Sequence, residues 1–220
     1  MSDPLWLSLK LSAVTTLLLV PLALPLAYWL SFGRARWRAW VEAMVALPLV
    51  LPPTVLGFYL LQGLGPESPL GALWETLFKE RLLFSFPALV MGSLIYSLPF
   101  AVQPLQASFR GLNPRLLEAS WTLGASRLAT FVRVLLPTCR PGLVAAIILT
   151  FAHTLGEFGV VLMVGGSIPG ETRTVSIAIY DLVEALDYGQ AGKLALVLLG
   201  CSYAVLAMLY LVDSRSLRWR

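Results

Sequence analysis

Hydrophobic positions along this chain are gathered into long blocks without formal charge, separated by short polar stretches. Residues 11–33, 43–66, 82–109 and 194–212 contain no Asp, Glu, Lys or Arg, and residues 141–170 are interrupted only by His153 and Glu157. A helix needs about 20 predominantly apolar residues to cross the hydrocarbon core of a bilayer. The pattern therefore predicts an all-α polytopic membrane protein with five transmembrane helices, near residues 11–33, 43–66, 82–109, 141–166 and 194–212. Lys10 precedes the first block as it would in a secretory leader. That block, however, exceeds the roughly 7–15 residues of a leader's apolar region, and Tyr28, Trp29 and Phe32 stand where cleavage wants small side chains. It is expected to stay as a helix.

Prolines punctuate the predicted crossings: Pro21 and Pro25, then Pro48, Pro52 and Pro53, then Pro87, Pro99 and Pro104. Each removes a helical hydrogen bond, and in lipid the freed carbonyl needs another partner. Kinks that shape a pathway are one reading; the other is the general abundance of proline in membrane helices. Between the fourth and fifth blocks, residues 174–186 place Val175, Ile179, Leu182, Val183 and Leu186 at helical spacing, but Asp181, Glu184 and Asp187 make a crossing there costly. A short amphipathic helix at the outer surface, or a re-entrant one, is expected instead.

Residues 110–140 are more than a linker. Asn113-Pro114 reads as an N-cap with proline in the first turn, Gly124 as the end of that helix, Ser126 as the cap of a second, and Pro137 as its stop. The result is a helical hairpin whose apolar residues, among them Leu116, Leu117, Leu123, Leu128, Phe131 and Leu135, form a compact knob.

Charge then orients the bundle. Arg34, Arg36 and Arg38, five arginines between 110 and 140, and Arg215, Arg218 and Arg220 fall on one side. The other side holds only Lys10, Lys79, Arg81, Arg173 and Lys193. The positive-inside rule places the richer side in the cytoplasm, hence N-out and C-in.

Composition agrees: 58% of the 220 residues are hydrophobic and 13% charged, with a mean hydropathy of +0.79, which excludes an ordinary water-soluble domain. The basic residues are scattered between apolar blocks, without the clustered stripe that nucleic acid requires. Two cysteines, Cys139 and Cys201, and one histidine, His153, supply neither a disulfide framework nor a metal site. Residues 165–172 spell G-x-x-x-x-G-E-T, with Glu171 where a phosphate-binding loop has lysine, so nucleotide binding is not expected of this chain.

Glu118-Ala119-Ser120, then Gly124, Val134 and Leu136-Pro137, resemble the EAA loop of ABC importer permeases, with Ser120 in place of the second alanine and Val134 in place of isoleucine. Leu47-Pro48-Leu49-Val50-Leu51-Pro52-Pro53-Thr54-Val55-Leu56-Gly57 and Phe151-Ala152-His153-Thr154-Leu155-Gly156-Glu157-Phe158-Gly159 resemble the molybdate permeases and their sulfate relatives. Ile168-Pro169-Gly170-Glu171-Thr172-Arg173-Thr174 is closer to the molybdate branch, whereas His153 stands where these relatives often carry arginine. The resemblance implies one permease domain over residues 1–220 with the type I importer fold, and a cytoplasmic coupling loop at 110–140. Glu118, Ala119, Ser120, Gly124, Leu136 and Pro137 would engage an ATPase, and Thr54, His153, Gly156, Glu157 and Gly159 would line the pathway or gate. It also implies a second copy of the chain, a cytoplasmic ABC ATPase dimer that uses ATP-Mg, and an external oxyanion-binding protein. The chain itself would bind no cofactor and would reside in the inner membrane.

Glu157 is the only formal charge within a block, and it is expected to bond backbone amides or a hydroxyl on a facing helix rather than touch an anion of like charge. Gly156 and Gly159 would let another backbone approach. His153, at i−4, could pair with Glu157 on one helix face, which leaves a proton-coupled secondary carrier as an alternative, although no inverted repeat supports it. A membrane enzyme would need more clustered polar chemistry than one Glu and one His.

Overall fold

The computed structural model describes residues 2–217, and among them every regular element is helical. In chain order they are α1 (Ser2–Phe32), α2 (Arg38–Ala46), a 3₁₀ turn (Leu47–Leu49), α3 (Pro53–Leu64), α4 (Pro69–Phe78), α5 (Phe86–Tyr96) and α6 (Leu98–Arg110). There follow α7 (Pro114–Thr122), α8 (Arg127–Thr130), a π turn (Phe131–Leu135), α9 (Leu136–Thr138), α10 (Arg140–Leu155), α11 (Gly159–Gly165), α12 (Val175–Glu184) and α13 (Tyr188–Leu217).

Three continuous stretches, Asp3–Phe32, Phe86–Arg110 and Tyr188–Met208, are long and apolar enough to cross a membrane. Two further pairs pass the same test only when each is counted as one bent crossing: Arg38–Leu49 with Pro53–Leu64, bent by 109°, and Arg127–Thr138 with Arg140–Leu155, bent by 75°. The block at 43–66 is thus not a straight helix; the 75° bend falls at Cys139, ahead of the block at 141–166, which is itself broken between α10 and α11. In the first, Pro52 and Pro53 remove two donors in succession, and Pro52 takes an extended backbone (φ −55°, ψ 136°). In the second, α10 ends at Leu155 and Phe158 is non-helical (φ −131°, ψ −66°). Helix α1 starts ahead of the predicted block. It keeps Lys10 by laying the ammonium over the Phe86 ring, 4.5 Å from its centroid.

The helices enclose two apolar cores. One joins Leu19, Ala23, Ala27 and Leu30 of α1 to Ala101, Val102, Leu105 and Phe109 of α6 and to Ala146 of α10, with Leu117 and Leu135 of the hairpin locked into it. The other joins Leu11 of α1 to Leu64 of α3, Leu89 and Val90 of α5, Val161 and Val164 of α11, and Ile177 of α12.

The amphipathic helix between the fourth and fifth blocks is present as α12, capped by Thr174 Oγ1 accepting from the Ile177 amide at 3.5 Å. Its buried face is Val175, Ile177 and Ala178, whereas Val183 and Leu186 are exposed. The predicted face is therefore displaced toward the first turn, because Leu186 has φ +60° and leaves the helix. Of the basic tail expected inside, Arg218 and Arg220 lie outside the described residues.

Candidate functional site

The hairpin at 113–138 is built by local signals. Asn113 Oδ1 accepts from the Arg115 amide at 3.1 Å to start α7. Gly124 ends it at φ +82°, a left-handed conformation natural to glycine. The Ala125 amide then bonds the Ser120 carbonyl at 3.1 Å, and Ser126 Oγ caps α8 by accepting from the Ala129 amide at 3.2 Å. Pro137 does not stop the second arm, which continues through the π turn into α9. Proline sits in the first turn of α9, where its missing N–H is tolerated, and the bend comes at Cys139.

One end of this hairpin is rooted and the other free. Leu117 and Leu135 are buried in the bundle core, while Leu123 (89% exposed) and Leu128 (73%) stand on the tip with Trp121 beside them. Glu118, Ala119, Gly124 and Pro137 are exposed; Ser120 and Leu136 are half-buried. Ser120, the departure from the loop's usual alanine, ties the two arms together through a 3.0 Å bond to the buried Thr130 hydroxyl. Nothing in the linear pattern singled out Thr130.

The second cluster lies where α5 meets α6 and α10 meets α11. Glu157, 4% exposed, accepts a 2.7 Å hydrogen bond on Oε2 from Ser93 Oγ, while its Oε1 has no hydrogen-bond partner. Ser97 Oγ lies 2.9 Å from His153 Nδ1 and 2.9 Å from Thr154 Oγ1. The His153 ring stacks on Phe100, centroids 4.0 Å apart at 22°, and meets Tyr96 edge-on. The pairing of His153 with Glu157 is not found. The helix that would have put them on one face ends at Leu155, so no hydrogen bond joins them and each takes a serine instead. A hydroxyl on a facing helix is what Glu157 was expected to bond, and Ser93 is that partner. The two serines were missed, being 56 and 64 residues away from their partners in the chain.

The two proline- and glycine-rich stretches come together. A Cβ on Gly159 would lie 2.7 Å from Pro53 Cβ, and one on Gly57 would lie 2.7 Å from Met163 Cβ, so α3 and α11 pack backbone to backbone. Thr54 is exposed on the first turn of α3 beside this contact. Gly156 does not share the role: a Cβ there meets only the Ala152 carbonyl, at 3.9 Å.

At the far end of α6, Arg110 forms an ion pair with Glu42 of α2 at 2.9 Å, and Gln106 Nε2 donates to the same carboxylate at 3.0 Å. These groups border a cavity of about 310 Å³ that also touches Gln103. Residues 165–172 do not form a phosphate cradle. The amides of Glu171, Thr172 and Arg173 all turn to the Ile168 carbonyl, and Asp181 fastens the loop by accepting from Ser167 Oγ at 2.7 Å and by an ion pair with Arg173 at 3.0 Å. Among the described residues, no three His, Cys, Asp or Glu side chains are grouped to hold a metal ion.

Comparison with known proteins places this geometry. Residues 20–217 match the family described as binding-protein-dependent transport system inner membrane component. The molybdenum transport system permease protein ModB of Azotobacter vinelandii is 52% identical over 204 residues, covering 93% of this chain and 90% of that protein. ModB of Escherichia coli K12 is 32% identical over 213 residues, covering 95% and 93%. Among solved structures, a bacterial alginate ABC transporter in complex with an alginate pentasaccharide-bound periplasmic protein superposes with a TM-score of 0.77 at 18% identity, covering 97% of this chain and 78% of that one.

Proposed function

The chain belongs to the family of binding-protein-dependent transport system inner membrane components, as the permease subunit of an ABC-type importer, and from that premise we propose that it carries molybdate into the cell. Two copies pair about a two-fold axis, since one copy's five crossings are too few to enclose a pathway and alternate its access. The whole of residues 1–220 acts as one permease domain, N-terminus out and C-terminus in, with α1, α2–α3, α5–α6, α10–α11 and α13 as the crossings. An external binding protein delivers the anion, and a cytoplasmic ATPase dimer consumes the ATP-Mg.

The observation that carries this reading is the hairpin: its root at Leu117 and Leu135 is clamped in the core while Leu123 and Leu128 stand exposed at its tip. A rigid arm with an apolar tip is what a moving ATPase needs in order to pull on membrane helices. Glu118, Ala119, Ser120, Gly124, Leu136 and Pro137 shape that arm. Thr54, His153, Gly156, Glu157 and Gly159 belong to the pathway or its gate, where the α3–α11 contact meets the buried serine cluster. Ile168 to Thr174, and the kinship to the molybdenum permeases, favour molybdate over sulfate.

The test is reconstitution of the chain with its ATPase and binding protein in vesicles, with uptake of labelled molybdate measured against excess sulfate. ATP-dependent uptake that sulfate does not compete away is the expected result. Full competition by sulfate would move the cargo to the sulfate branch, and uptake driven by a proton gradient without ATP would establish the secondary carrier instead.

A further inference from the structure

The two apolar cores touch through the half-buried Leu94, which packs against both, but share none of their fully buried members. On α1, Thr15 and Thr16 lie between Leu11 of one core and Leu19 of the other. On α5–α6, Ser93 and Ser97 lie between Val90 and Ala101; on α10–α11, Thr150, Thr154 and Glu157 lie between Ala146 and Val161. A buried polar layer thus crosses the bundle at one level, although apolar side chains would fill the same space without the desolvation cost of hydroxyls.

The break between α10 and α11 falls inside this layer, and it divides the packing. Before it, α10 rests on α1, α6 and α13; beyond it, α11 rests on α3 and α5. Among the described residues, the side-chain hydrogen bonds across this region tie junction to junction: Ser97, itself the residue between α5 and α6, bonds His153 and Thr154 in the last turn of α10, and Ser93 bonds Glu157 within the break. The second arm of the hairpin runs through α9 into α10, so a displacement at the tip enters the bundle along α10. To reach α11 and α3 it must pass Gly156–Phe158, where three non-helical residues would absorb it unless the angle is held.

We propose that Ser93 and Ser97 are positioning residues for transport: their hydroxyls hold α10 and α11 at a set angle, so that movement of the hairpin is delivered to α11 and the α3 contact. The proposal rests on the importer reading above. Its mechanism needs directional bonds at the break, which accounts for the hydroxyls of Ser93, Ser97 and Thr154; those of Thr15, Thr16 and Thr150 make no hydrogen bond there. Ser93 and Ser97 touch no cargo and act through Glu157, His153 and Thr154.

The experiment compares wild type, the Ser93→Ala and Ser97→Ala single variants and the Ser93→Ala/Ser97→Ala double variant, each reconstituted with the ATPase and binding protein. It measures molybdate taken up per ATP hydrolysed, normalised to assembled complex. The double variant should keep hydrolysing ATP while uptake per ATP falls at least fivefold, and each single variant, retaining one tie, should fall between it and wild type. Should the double variant fail to assemble, the single variants are read by the same ratio. A wild-type ratio in the alanine variants, or hydrolysis that falls in step with uptake, would overturn the positioning role alone. A wild-type complex without ATP-driven uptake would overturn the importer reading and this role with it.

Discussion

Gly159 stands against Pro53 so closely that a Cβ added at 159 would come within 2.7 Å of the proline Cβ, a separation that side chains do not adopt. The contact joins the start of α11 to the start of α3, the two half-helices that follow the breaks in their crossings. Neither atom belongs to a flexible side-chain end, so the backbone must move to admit a methyl.

Gly159→Ala should therefore destabilise the protein by about 1–3 kcal/mol through overpacking, read as a lowered unfolding midpoint in detergent. Gly156→Ala is the control. Its backbone has φ −93°, and its Cβ would meet nothing nearer than 3.9 Å, so the midpoint should stay within about 0.5 kcal/mol of wild type. Equal losses in both variants would contradict the close α3–α11 packing.

The two glycines show what a linear pattern can and cannot convey. Helix ends in the hairpin were readable because caps act over three or four residues: Asn113, Gly124 and Ser126 do what their types favour. The apolar blocks were readable because lipid demands length. Bends were not, since hydropathy is blind to direction, and Pro52 and Phe158 turn their chains without changing how apolar they are. Partners distant in the chain were hidden for the same reason. Ser93 and Ser97 look like any small residues until the fold sets them against Glu157 and His153.

Gly124 has open space around it, with nothing within 4 Å of an added Cβ, so its constraint is conformational rather than steric. At φ +82°, an ordinary L-residue costs about 1–2 kcal/mol, while asparagine visits this region more readily. Gly124→Val should then lose co-purified ATPase and uptake, and Gly124→Asn should retain most of both. Glu118, exposed on α7, is predicted to matter at the ATPase surface alone, so Glu118→Lys should lower ATPase association without moving the unfolding midpoint. Equal behaviour of the Val and Asn variants would remove the backbone argument.

Ser120 and Thr130 form the tie between the hairpin arms, 3.0 Å apart with Thr130 buried. Ser120→Ala leaves a buried hydroxyl unpaired, at a cost of about 1–3 kcal/mol. Removing both partners with Ser120→Ala/Thr130→Val should recover part of that loss. Hydrogen exchange at the α7 and α8 amides is the measurement, because the effect is confined to the hairpin. Additive single and double variants would mean that the bond contributes nothing to holding the arms together.

Topology is open to a direct chemical test. Basic residues at 34–38 and 110–140 mark one side of the bundle, and Glu42–Arg110 closes that side with an ion pair between α2 and α6. A cysteine at Ala35 should therefore be shielded from an impermeant maleimide applied to intact cells. The outside probe is best carried by the exposed Glu67, since neighbouring Ser68 caps α4 by accepting from the Gly71 amide at 2.9 Å and its replacement would fray that helix. Native background is small: Cys139 is buried at 2% exposure and bonds the Ser108 carbonyl, so Cys201→Ser removes the more accessible thiol. A cysteine at Ser216 decides the number of crossings. Five place it inside with Ala35, whereas a sixth through α12 would put it outside with Glu67. The burial of Val175, Ile177 and Ala178 against the bundle, with Val183 and Leu186 left exposed, favours the five-crossing arrangement, in which Ser216 stays unlabelled until the membrane is opened.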